Sequence, residues 1–282
     1  MNGSEGDTRG KGNRKNAMIH ALINLFRHRQ LLNTLVVREL KARYRGSILG
    51  FFWSFANPLL LLVIYTIVFA YILSQRDPNT NPYSLFLFCG ILPWTWFSSS
   101  LLQASNSVID GGILIKKILF PAEVLPFVSV LSNLVHFLLG LPILFLFMII
   151  YHKGLTIYLL YFPLIVFIQI IFSLGLGLYL SALSVHFRDI KDLLANILTL
   201  WFFSTPIIYP YSFKAVQNSY FFKYILKYNP MTYFMLCYQK AFFYGEAPSP
   251  KHLIIMFLGS LLLFWSGYAL FDRVRDTFAE EV

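Results

Sequence analysis

The stretch RELKARYRGSILGFFWSFANPLLLLVIYTIVFAYIL, residues 38–73, decides the fold of this chain. Its first eight residues contain four cationic side chains, whereas residues 46–73 contain no charged side chain. About 20 consecutive apolar residues form a helix that can cross the hydrocarbon layer of a bilayer, which is about 30 Å thick. The stretch therefore predicts a cationic segment at the membrane surface that leads directly into a membrane-spanning helix.

The whole chain has the composition of a membrane protein. Of its 282 residues, 57% are hydrophobic and 13% are charged, whereas soluble domains contain about 25% charged residues. The formal net charge of +10 would suggest a nucleic-acid partner in a soluble protein, but the sequence contains no DNA or RNA recognition motif. We therefore expect no nucleic-acid partner and interpret the cations as determinants of orientation in the bilayer.

Six segments are apolar and long enough to be membrane spans: 50–74, 84–108, 123–151, 157–185, 193–209 and 252–271. We therefore predict an all-α integral membrane protein with six transmembrane helices. The fifth span is short because Pro206 and Pro210 interrupt its end, and Pro126 and Pro142 are expected to kink the long third span.

The Lys and Arg residues orient these spans. Sixteen of the 23 fall in the region before the first span, in the loops after spans two and four, or in the C-terminal tail. Because cytoplasmic loops retain positive charge, both termini are predicted to be cytoplasmic, with the protein in the cell (inner or cytoplasmic) membrane. The predicted organisation is a basic arm (1–30), an interface helix (31–45), a transmembrane domain (46–272) and a cytoplasmic tail (273–282).

The predicted interface helix is amphipathic. Its apolar face consists of Leu32, Val36, Leu40 and Tyr44, and its basic face of Arg38, Lys41 and Arg45. Arg43 lies on the apolar side, where it either extends toward the surface or pairs with groups in a polar pocket between helices. Gly46 lets the chain turn into the first span. The helix is either a simple membrane anchor or the frame of an entrance for an anionic, lipid-linked substrate.

The spans contain almost no ionisable side chains. Ion-driven transporters and channels need charged or polar ligands inside the bundle. Here the notable polar groups are Glu123, His136 and Gln169, for which we expect helix contacts rather than a proton relay. Because the sequence has no Walker motif and no metal-ligand cluster, we expect no catalytic, cofactor or metal site on this chain. Any transport must then be driven by another chain.

Two short cytoplasmic loops are candidates for docking that chain. In IDGGILIKKILFPAEVLP (109–126), Asp110 can cap a helix over 111–119, with Lys116 and Lys117 near its C-terminal end, as the helix dipole favours. The loop HFRDIKDL (186–193) has room for one or two helical turns. Both loops can alternatively be plain connectors.

The segment 210–251 is too polar for a seventh span and too aromatic for an ordinary loop. Asn229-Pro230 is typical of an N-cap followed by Pro at the first helical position. We predict two short helices, broken at that point, that lie in the outer interface or re-enter the membrane between spans five and six. A plain external loop is the alternative.

Six motifs, in this order, resemble the ABC-2 type permeases of bacterial polysaccharide exporters, those for O antigen and teichoic acid. They are RELKARYRGSILGFFWSFANPL (38–59), GILPWTWF (90–97), LIKKILFPAEVLP (114–126), FRDI (187–190), TPIIY (205–209) and YNPM (228–231). The resemblance implies a homodimer of six-span subunits bound to two copies of a separate ABC nucleotide-binding ATPase, which would hold ATP and Mg²⁺. It also implies export of a polysaccharide carried on undecaprenyl diphosphate.

The resemblance also assigns candidate site residues. The helix 111–119 becomes a coupling helix on the ATPase, with Asp110, Ile115, Lys116 and Lys117, and Phe187, Arg188 and Asp189 form the second coupling element. The helix 31–45 lies beside the cytoplasmic gate, where Arg38, Lys41, Arg43, Tyr44 and Arg45 are candidates for contacting the diphosphate headgroup.

Aromatic residues make up 18% of the chain, and sugar rings stack on aromatic rings. The candidates for lining a glycan channel are Phe51, Phe52, Trp53, Phe55, Trp94, Trp96 and Phe97. An interfacial aromatic belt or core packing is the alternative for each of them.

Two other functions stay open on the sequence alone. An ABC-2 exporter of another lipid or a drug shares the same fold. A membrane enzyme acting on lipid-linked glycans would need an acid or base, for which the external candidates are Asp77, His152, Glu246 and His252. The sequence does not distinguish O antigen from teichoic acid or another polymer.

Overall fold

A computed structural model describes residues 29–47, 50–72, 78–117, 120–187 and 189–281, and every regular element in these ranges is helical. The all-α fold class is therefore confirmed for the described part of the chain. Most of the predicted basic arm lies outside the described residues, as do Ile118 and Leu119 of the predicted coupling helix and Arg188 of the second coupling element.

Twelve α-helices follow one another along these ranges. They are α1 (Arg29–Arg43), α2 (Trp53–Tyr65), α3 (Tyr83–Asp110), α4 (Gly112–Lys117), α5 (Val124–Ile150), α6 (Phe162–His186), α7 (Ile190–Phe203), α8 (Lys214–Asn218), α9 (Tyr220–Tyr228), α10 (Pro230–Gln239), α11 (Pro250–Val274) and α12 (Phe278–Glu281). A π-helical segment, Thr66–Ile72, extends α2, and another, Lys240–Tyr244, extends α10.

Four helical segments are long and apolar enough to cross a membrane: Tyr83–Lys116, Val124–Ile150, Ile157–His186 and Pro250–Thr277. They correspond to the predicted second, third, fourth and sixth spans, and the chain is a multi-pass membrane protein. The predicted first span is a shorter apolar helix, Trp53–Phe69.

The predicted fifth span differs most from its expected form. The sequence predicts a span over 193–209, but α7 has only 14 residues and ends at Phe203, and turns follow it up to Tyr209. The reason is Pro206, since a proline has no N–H to donate and disfavours a helical conformation at the residue before it.

The core of the bundle is built around α3, which packs against α5 and α6. Every residue from Leu85 to Trp94 is buried, as expected for a helix that is apolar on all sides. The closest helix pair is α6 with α11. A Cβ atom added at Gly175 would lie 2.7 Å from the backbone N of Phe264, and one at Gly267 would lie 2.5 Å from the carbonyl O of Gly175. Such small residues let two membrane helices approach closely.

The helix α1 lies at the end of the bundle that carries α4, here called the α4 end. It packs on the first turns of α5 through a small apolar cluster of Leu35, Val36, Val124 and Val128. The chain then turns toward α2 through Gly46 and Gly50, whose φ angles are +78° and +47°. The predicted turn at Gly46 is thus confirmed, and it uses backbone conformations that favour glycine.

The helices α3 and α4 are separated by Gly111 alone. We predicted that Asp110 caps a helix over 111–119, but Asp110 is the last residue of α3, and its Oδ1 accepts a hydrogen bond from Asn106 Nδ2 at 2.7 Å within that helix. A Cβ added at Gly111 would lie 2.5 Å from Cδ1 of Leu125. The break therefore allows close packing on α5, and α4 continues from α3 rather than starting at its own cap.

The aromatic segment between α7 and α11 is helical rather than a plain loop. Asn229 is the N-cap of α10, its Oδ1 accepting from the backbone N–H of Met231 at 2.9 Å, and Pro230 occupies the first turn. The predicted break at Asn229-Pro230 is therefore confirmed.

Candidate functional site

A polar cavity of about 420 Å³ opens between the α1–α2 junction, α3 and α5. It is lined by Arg43, Tyr44, Ser47, Trp53, Ser54, Asn57, Pro58, Leu92, Thr95, Trp96, Ser99, Asn133, His136 and Phe137. His136 lies 12 residues after the start of α5, which corresponds to about 18 Å along the helix. The cavity thus extends from the α4 end to about half the length of α5.

Arg43 lies at this cavity and bonds to two other helices. Its Nη1 donates to Oδ1 of Asn133 on α5 at 3.0 Å, and its Nη2 donates to Oε1 of Gln103 on α3 at 2.9 Å. Of the two alternatives from the sequence, pairing in a polar pocket between helices is therefore the correct one.

Gln103 connects the three helices that surround Arg43. Its Oε1 also accepts from Asn133 Nδ2 at 2.7 Å, and its Nε2 donates to Oε1 of Glu39 on α1 at 2.6 Å. The direct partners of the guanidinium are thus two neutral amides. The ion pairs found among the described residues join Lys240 to Glu246 and Arg275 to Asp272 and Asp276. The positive charge of Arg43 therefore remains available to attract an anion.

A second hydrogen-bonded group lies beside Arg43 in the same cavity. The hydroxyl groups of Tyr44 and Ser54 are hydrogen-bonded to each other, and each lies 3.0 Å from Nδ1 of His136. This group connects the α1–α2 junction to α2 and to the middle of α5. Together with the Arg43 contacts, it gives the cavity hydrogen-bonding groups on several sides.

The other predicted cations lie elsewhere. Arg38 lines a separate cavity of about 100 Å³ between α1 and the α3–α4 corner, together with Glu39 and Asp110. Lys41 and Arg45 are exposed and are not part of the cavity lining. Of the five predicted headgroup residues, Arg43 and Tyr44 are the two that the structure brings together at the cavity.

Three of the predicted coupling residues are exposed at the α4 end. Lys116 and Asp189 are exposed, and Phe187 is 63% exposed. Ile115, in contrast, packs against a buried cluster. The side chain of Lys117 and the whole of Arg188 lie outside the described residues. Ile113 was not among the predicted residues, yet it is 70% exposed on α4.

Comparison with known proteins identifies the family. The ABC-2 type transporter family matches residues 30–243. The chain belongs to this family. It is 39% identical over 265 residues to the O-antigen export system permease protein RfbA of Myxococcus xanthus, an alignment that covers 94% of this chain and 100% of the relative. It is also 32% and 33% identical over 251 residues to two proteins of the same name from Klebsiella pneumoniae, covering 89% of this chain and 94% of each relative.

The predicted channel aromatics of this ABC-2 transporter fall into two groups. Trp53 and Trp96 line the polar cavity, and Trp96 stacks on Phe137 with ring centroids 4.9 Å apart while its Nε1 donates to the carbonyl O of Val130 at 3.3 Å. Phe52 is exposed and Phe55 is partly exposed, and the side chain of Phe51 is not described.

The remaining two predicted aromatics pack in the core of the bundle. Phe97 is completely buried and stacks on Phe172 at 5.7 Å, so its assignment to a channel wall is corrected to core packing. Trp94 is also buried, and it borders a second cavity of about 340 Å³ between α2, α3 and α7. Neither ring is on the side of α3 that lines the polar cavity, which carries Thr95, Trp96 and Ser99.

Of the four candidate acids and bases of the enzyme alternative, His152 is exposed in the turn after α5. Asp77 lies outside the described residues. Glu246 forms an ion pair with Lys240 at 3.6 Å, and the ring of His252 packs on Tyr233 with centroids 4.8 Å apart. No group of three or more potential metal ligands occurs among the residues that the structure describes.

Two of the motifs meet at the opposite end of this ABC-2 transporter, around Asn229. Its Nδ2 donates to the carbonyl O of Ser204 and to Oγ1 of Thr205, both at 2.9 Å. Its Oδ1 accepts from Trp201 Nε1 at 2.7 Å as well as from the N–H of Met231. All four hydrogen-bonding positions of the amide are therefore used. The bond from Asn229 to Thr205 connects the YNPM motif to the TPIIY motif.

Proposed function

We propose that this ABC-2 transporter is the permease subunit of an ATP-driven exporter that moves O antigen, linked to undecaprenyl diphosphate, from the cytoplasm across the cytoplasmic membrane. The names of the relatives favour O antigen over teichoic acid. The observation that carries the substrate class is the cavity at Arg43, where an unneutralised guanidinium lies at the mouth of a polar space inside an apolar bundle.

The diphosphate is recognised by Arg43 in this proposal. A guanidinium forms two parallel, charge-assisted hydrogen bonds with a phosphate, which are stronger than bonds between neutral groups. Its amide partners, Asn133 and Gln103, hold it without neutralising it. Beyond the diphosphate, the hydroxyls of Tyr44 and Ser54 and the rings of Trp53 and Trp96 offer the mixed polar and aromatic surface that a sugar requires.

The assembly is a homodimer of six-span subunits with two copies of an ABC ATPase and with both termini in the cytoplasm. Here α2 and α7 complete the six spans, and α9 and α10 re-enter the membrane from the outside. Exposed apolar side chains on α2 and α7 support the assignment of these helices to the membrane, where they would contact lipid or a second subunit. These residues include Leu60, Ile64 and Ile67 of α2 and Leu193, Ile197 and Leu200 of α7.

The ATPase docks at the α4 end in this proposal. Ile113 and Phe187 supply large exposed apolar side chains on the two loops. Because α4 continues from α3 with one residue between them, a displacement of α4 by ATP binding is passed to α3 and from there to Gln103 and Arg43. ATP binding then favours one of two arrangements of the cavity by its different affinity for the two states.

The test is to co-purify the tagged protein with an ATPase encoded beside it and to measure ATP hydrolysis in lipid vesicles with and without lipid-linked O antigen. We expect a stable complex whose hydrolysis depends on the glycan, and we expect Ile113→Ala to reduce that dependence. The matched control is Ile149→Ala, which truncates an isoleucine of similar exposure at the end of α5 that lies away from α4. A protein that purifies alone would contradict the proposal, and turnover stimulated by other lipids or drugs but not by glycan would favour a different ABC-2 exporter.

A further inference from the structure

The chain reverses direction after α11 and returns to the bundle. Arg275 pairs with Asp272 at 3.0 Å, and a 3₁₀ turn over Arg275–Thr277 follows, in which Thr277 Oγ1 donates to the carbonyl O of Val274 at 2.7 Å. The short helix α12 then places Phe278 in the interior, where its ring meets that of Phe271 edge to face at 5.1 Å. This segment lies beyond the residues matched by the family.

Phe278 belongs to a buried cluster that lies at the α4 end of the bundle, where α4, α6 and α11 meet. Its side chain is completely buried, and the same cluster contains Ala182 and Val185 near the end of α6 and has Ile115 of α4 packed against it. At the level of whole helices, α12 contacts both α4 and α6. It therefore lies between the two loops that carry Ile113 and Phe187.

The helix α4 needs such support. It has six residues and forms the end of the helical segment Tyr83–Lys116, and the ends of helices fray and open locally at little cost in free energy. On one side it is fixed by the close approach of Gly111 to Leu125. On the other side, Ile115 packs against the buried cluster to which Phe278 belongs, and α12 contacts α4.

We propose that Phe278 is a positioning residue for energy coupling: it holds α4 in register with the end of α6, so that the two loops form one docking surface. The coupling part of this inference rests on the proposed function of α4. Without the ring of Phe278, α4 loses packing and opens locally more often. Movement of the ATPase then displaces the opened α4 segment without displacing α3. ATP is therefore hydrolysed without export.

The test uses the complete complex of the protein with its ATPase, with Phe278→Ala compared with wild type. Hydrogen exchange followed by mass spectrometry reports on residues 112–117, where we expect exchange about tenfold faster. Export per ATP hydrolysed, measured in vesicles, should fall severalfold. The matched control is Phe264→Ala, which removes a ring from the same cluster about two helical turns before Phe271 on α11. It should leave both α4 exchange and coupling at the wild-type level.

The outcomes separate this inference from the function that it rests on. Wild-type exchange in α4 of Phe278→Ala would overturn the inference, as would an equal effect of Phe264→Ala, because the cluster as a whole would then be responsible. Faster exchange with normal coupling would also overturn it. In that case Ile113→Ala, measured in parallel, decides whether α4 couples to the ATPase at all. If the Phe278→Ala complex does not assemble, Phe278→Leu keeps most of the apolar volume, and the same two measurements apply to it.

Discussion

Two polar clusters lie at opposite ends of this apolar bundle, one around Asn229 and one around Arg43. The amide of Asn229 is buried and uses all four of its hydrogen-bonding positions on neighbouring protein groups. The guanidinium of Arg43 bonds to two neutral amides and lies at a cavity of about 420 Å³. Asn229 is buried, whereas Arg43 is exposed at the mouth of the cavity, so the two clusters differ in what they leave open to a ligand.

The difference teaches how to separate structural from functional polar groups in a membrane bundle. A saturated buried cluster such as that of Asn229 fixes one backbone arrangement and has no capacity for a ligand. A charged group held by neutral partners at a cavity keeps its charge available. Substitutions at Asn229 should therefore reduce folding, whereas substitutions at Arg43 should reduce function in a folded protein.

The largest effect is expected for Asn229→Ala. It leaves the N–H of Trp201 and the carbonyl O of Ser204 without this partner, and each buried unsatisfied group costs about 1–3 kcal/mol of unfolding free energy. We expect a much lower yield and a lower Tm in detergent. The control Asn218→Ala changes an exposed asparagine at the end of α8 and should have a normal Tm. A normal Tm for Asn229→Ala would show that the Asn229 cluster is not required for folding, and the contrast with Arg43 would then fail.

The next largest effect is expected for Arg43→Gln, and it concerns export. A hydrogen bond to a charged group is worth about 1.5–3 kcal/mol, which corresponds to roughly a tenfold to hundredfold loss of apparent affinity for the substrate. The neutral amide can still bond to Asn133 or Gln103, so the yield and Tm should stay near those of wild type. Surface O antigen in cells and Tm of the purified protein are the two measurements. A parallel fall in both would mean that Arg43 is structural, like Asn229.

A smaller and more specific effect is expected for Gln103→Glu. The substitution keeps the shape of the side chain but places one carboxylate oxygen 2.9 Å from Nη2 of Arg43 and the other against Glu39, in place of the Nε2 that donated to it. The added negative charge beside Arg43 would form an internal ion pair that competes with a substrate anion. A competing charge interaction of about 1 kcal/mol would raise the substrate concentration for half-maximal ATP hydrolysis by about fivefold. Gln103→Met, which has no charge, should not show this competition. An unchanged half-maximal concentration in Gln103→Glu would argue against an anion at Arg43.

The smallest effect is expected for Tyr44→Phe. It removes the hydroxyl that bonds to Ser54 and His136 but keeps the ring, and those two groups still lie within 3.0 Å of each other. Neutral hydrogen bonds in membrane proteins contribute about 0.6 kcal/mol on average. Export should fall by about threefold, and export by Tyr44→Ala, which also lacks the ring in the cavity wall, should fall further. Equal export in the two variants would show that the ring has no role.

The sequence predicts those features that depend on neighbouring residues. The charge-free segments predict the helical bundle, Asn229-Pro230 predicts the start of α10, and Gly46 predicts the turn into α2, because each pattern acts within a few residues. The shortening of α7 was visible in part, since the prolines of its predicted end were recognised as interrupting it. The predicted end of the span at residue 209 is wrong, because α7 ends at Phe203.

The features that the sequence does not predict depend on how distant helices meet. Arg43 is 60 residues from Gln103 and 90 from Asn133 along the chain, so its partners follow from the tertiary arrangement alone. Polar residues in apolar helices are a general signal of such contacts, and that signal would have found Gln103 and Asn133. Phe97 was misassigned because aromatic residues occur both in channel walls and in bundle cores, and its packing on Phe172 follows from the tertiary arrangement.

The most direct test of the central claim is binding of undecaprenyl diphosphate to the purified protein in lipid nanodiscs. Uncharged undecaprenol is the control lipid. Lys41→Gln is the control variant, since it removes the same charge from an exposed position of α1 outside the cavity lining. The account predicts that wild type and Lys41→Gln bind the diphosphate with similar affinity and prefer it to undecaprenol, and that Arg43→Gln loses this preference. Equal loss in Lys41→Gln and Arg43→Gln, or undiminished binding in Arg43→Gln, would contradict the claim that Arg43 at the cavity recognises the anionic headgroup.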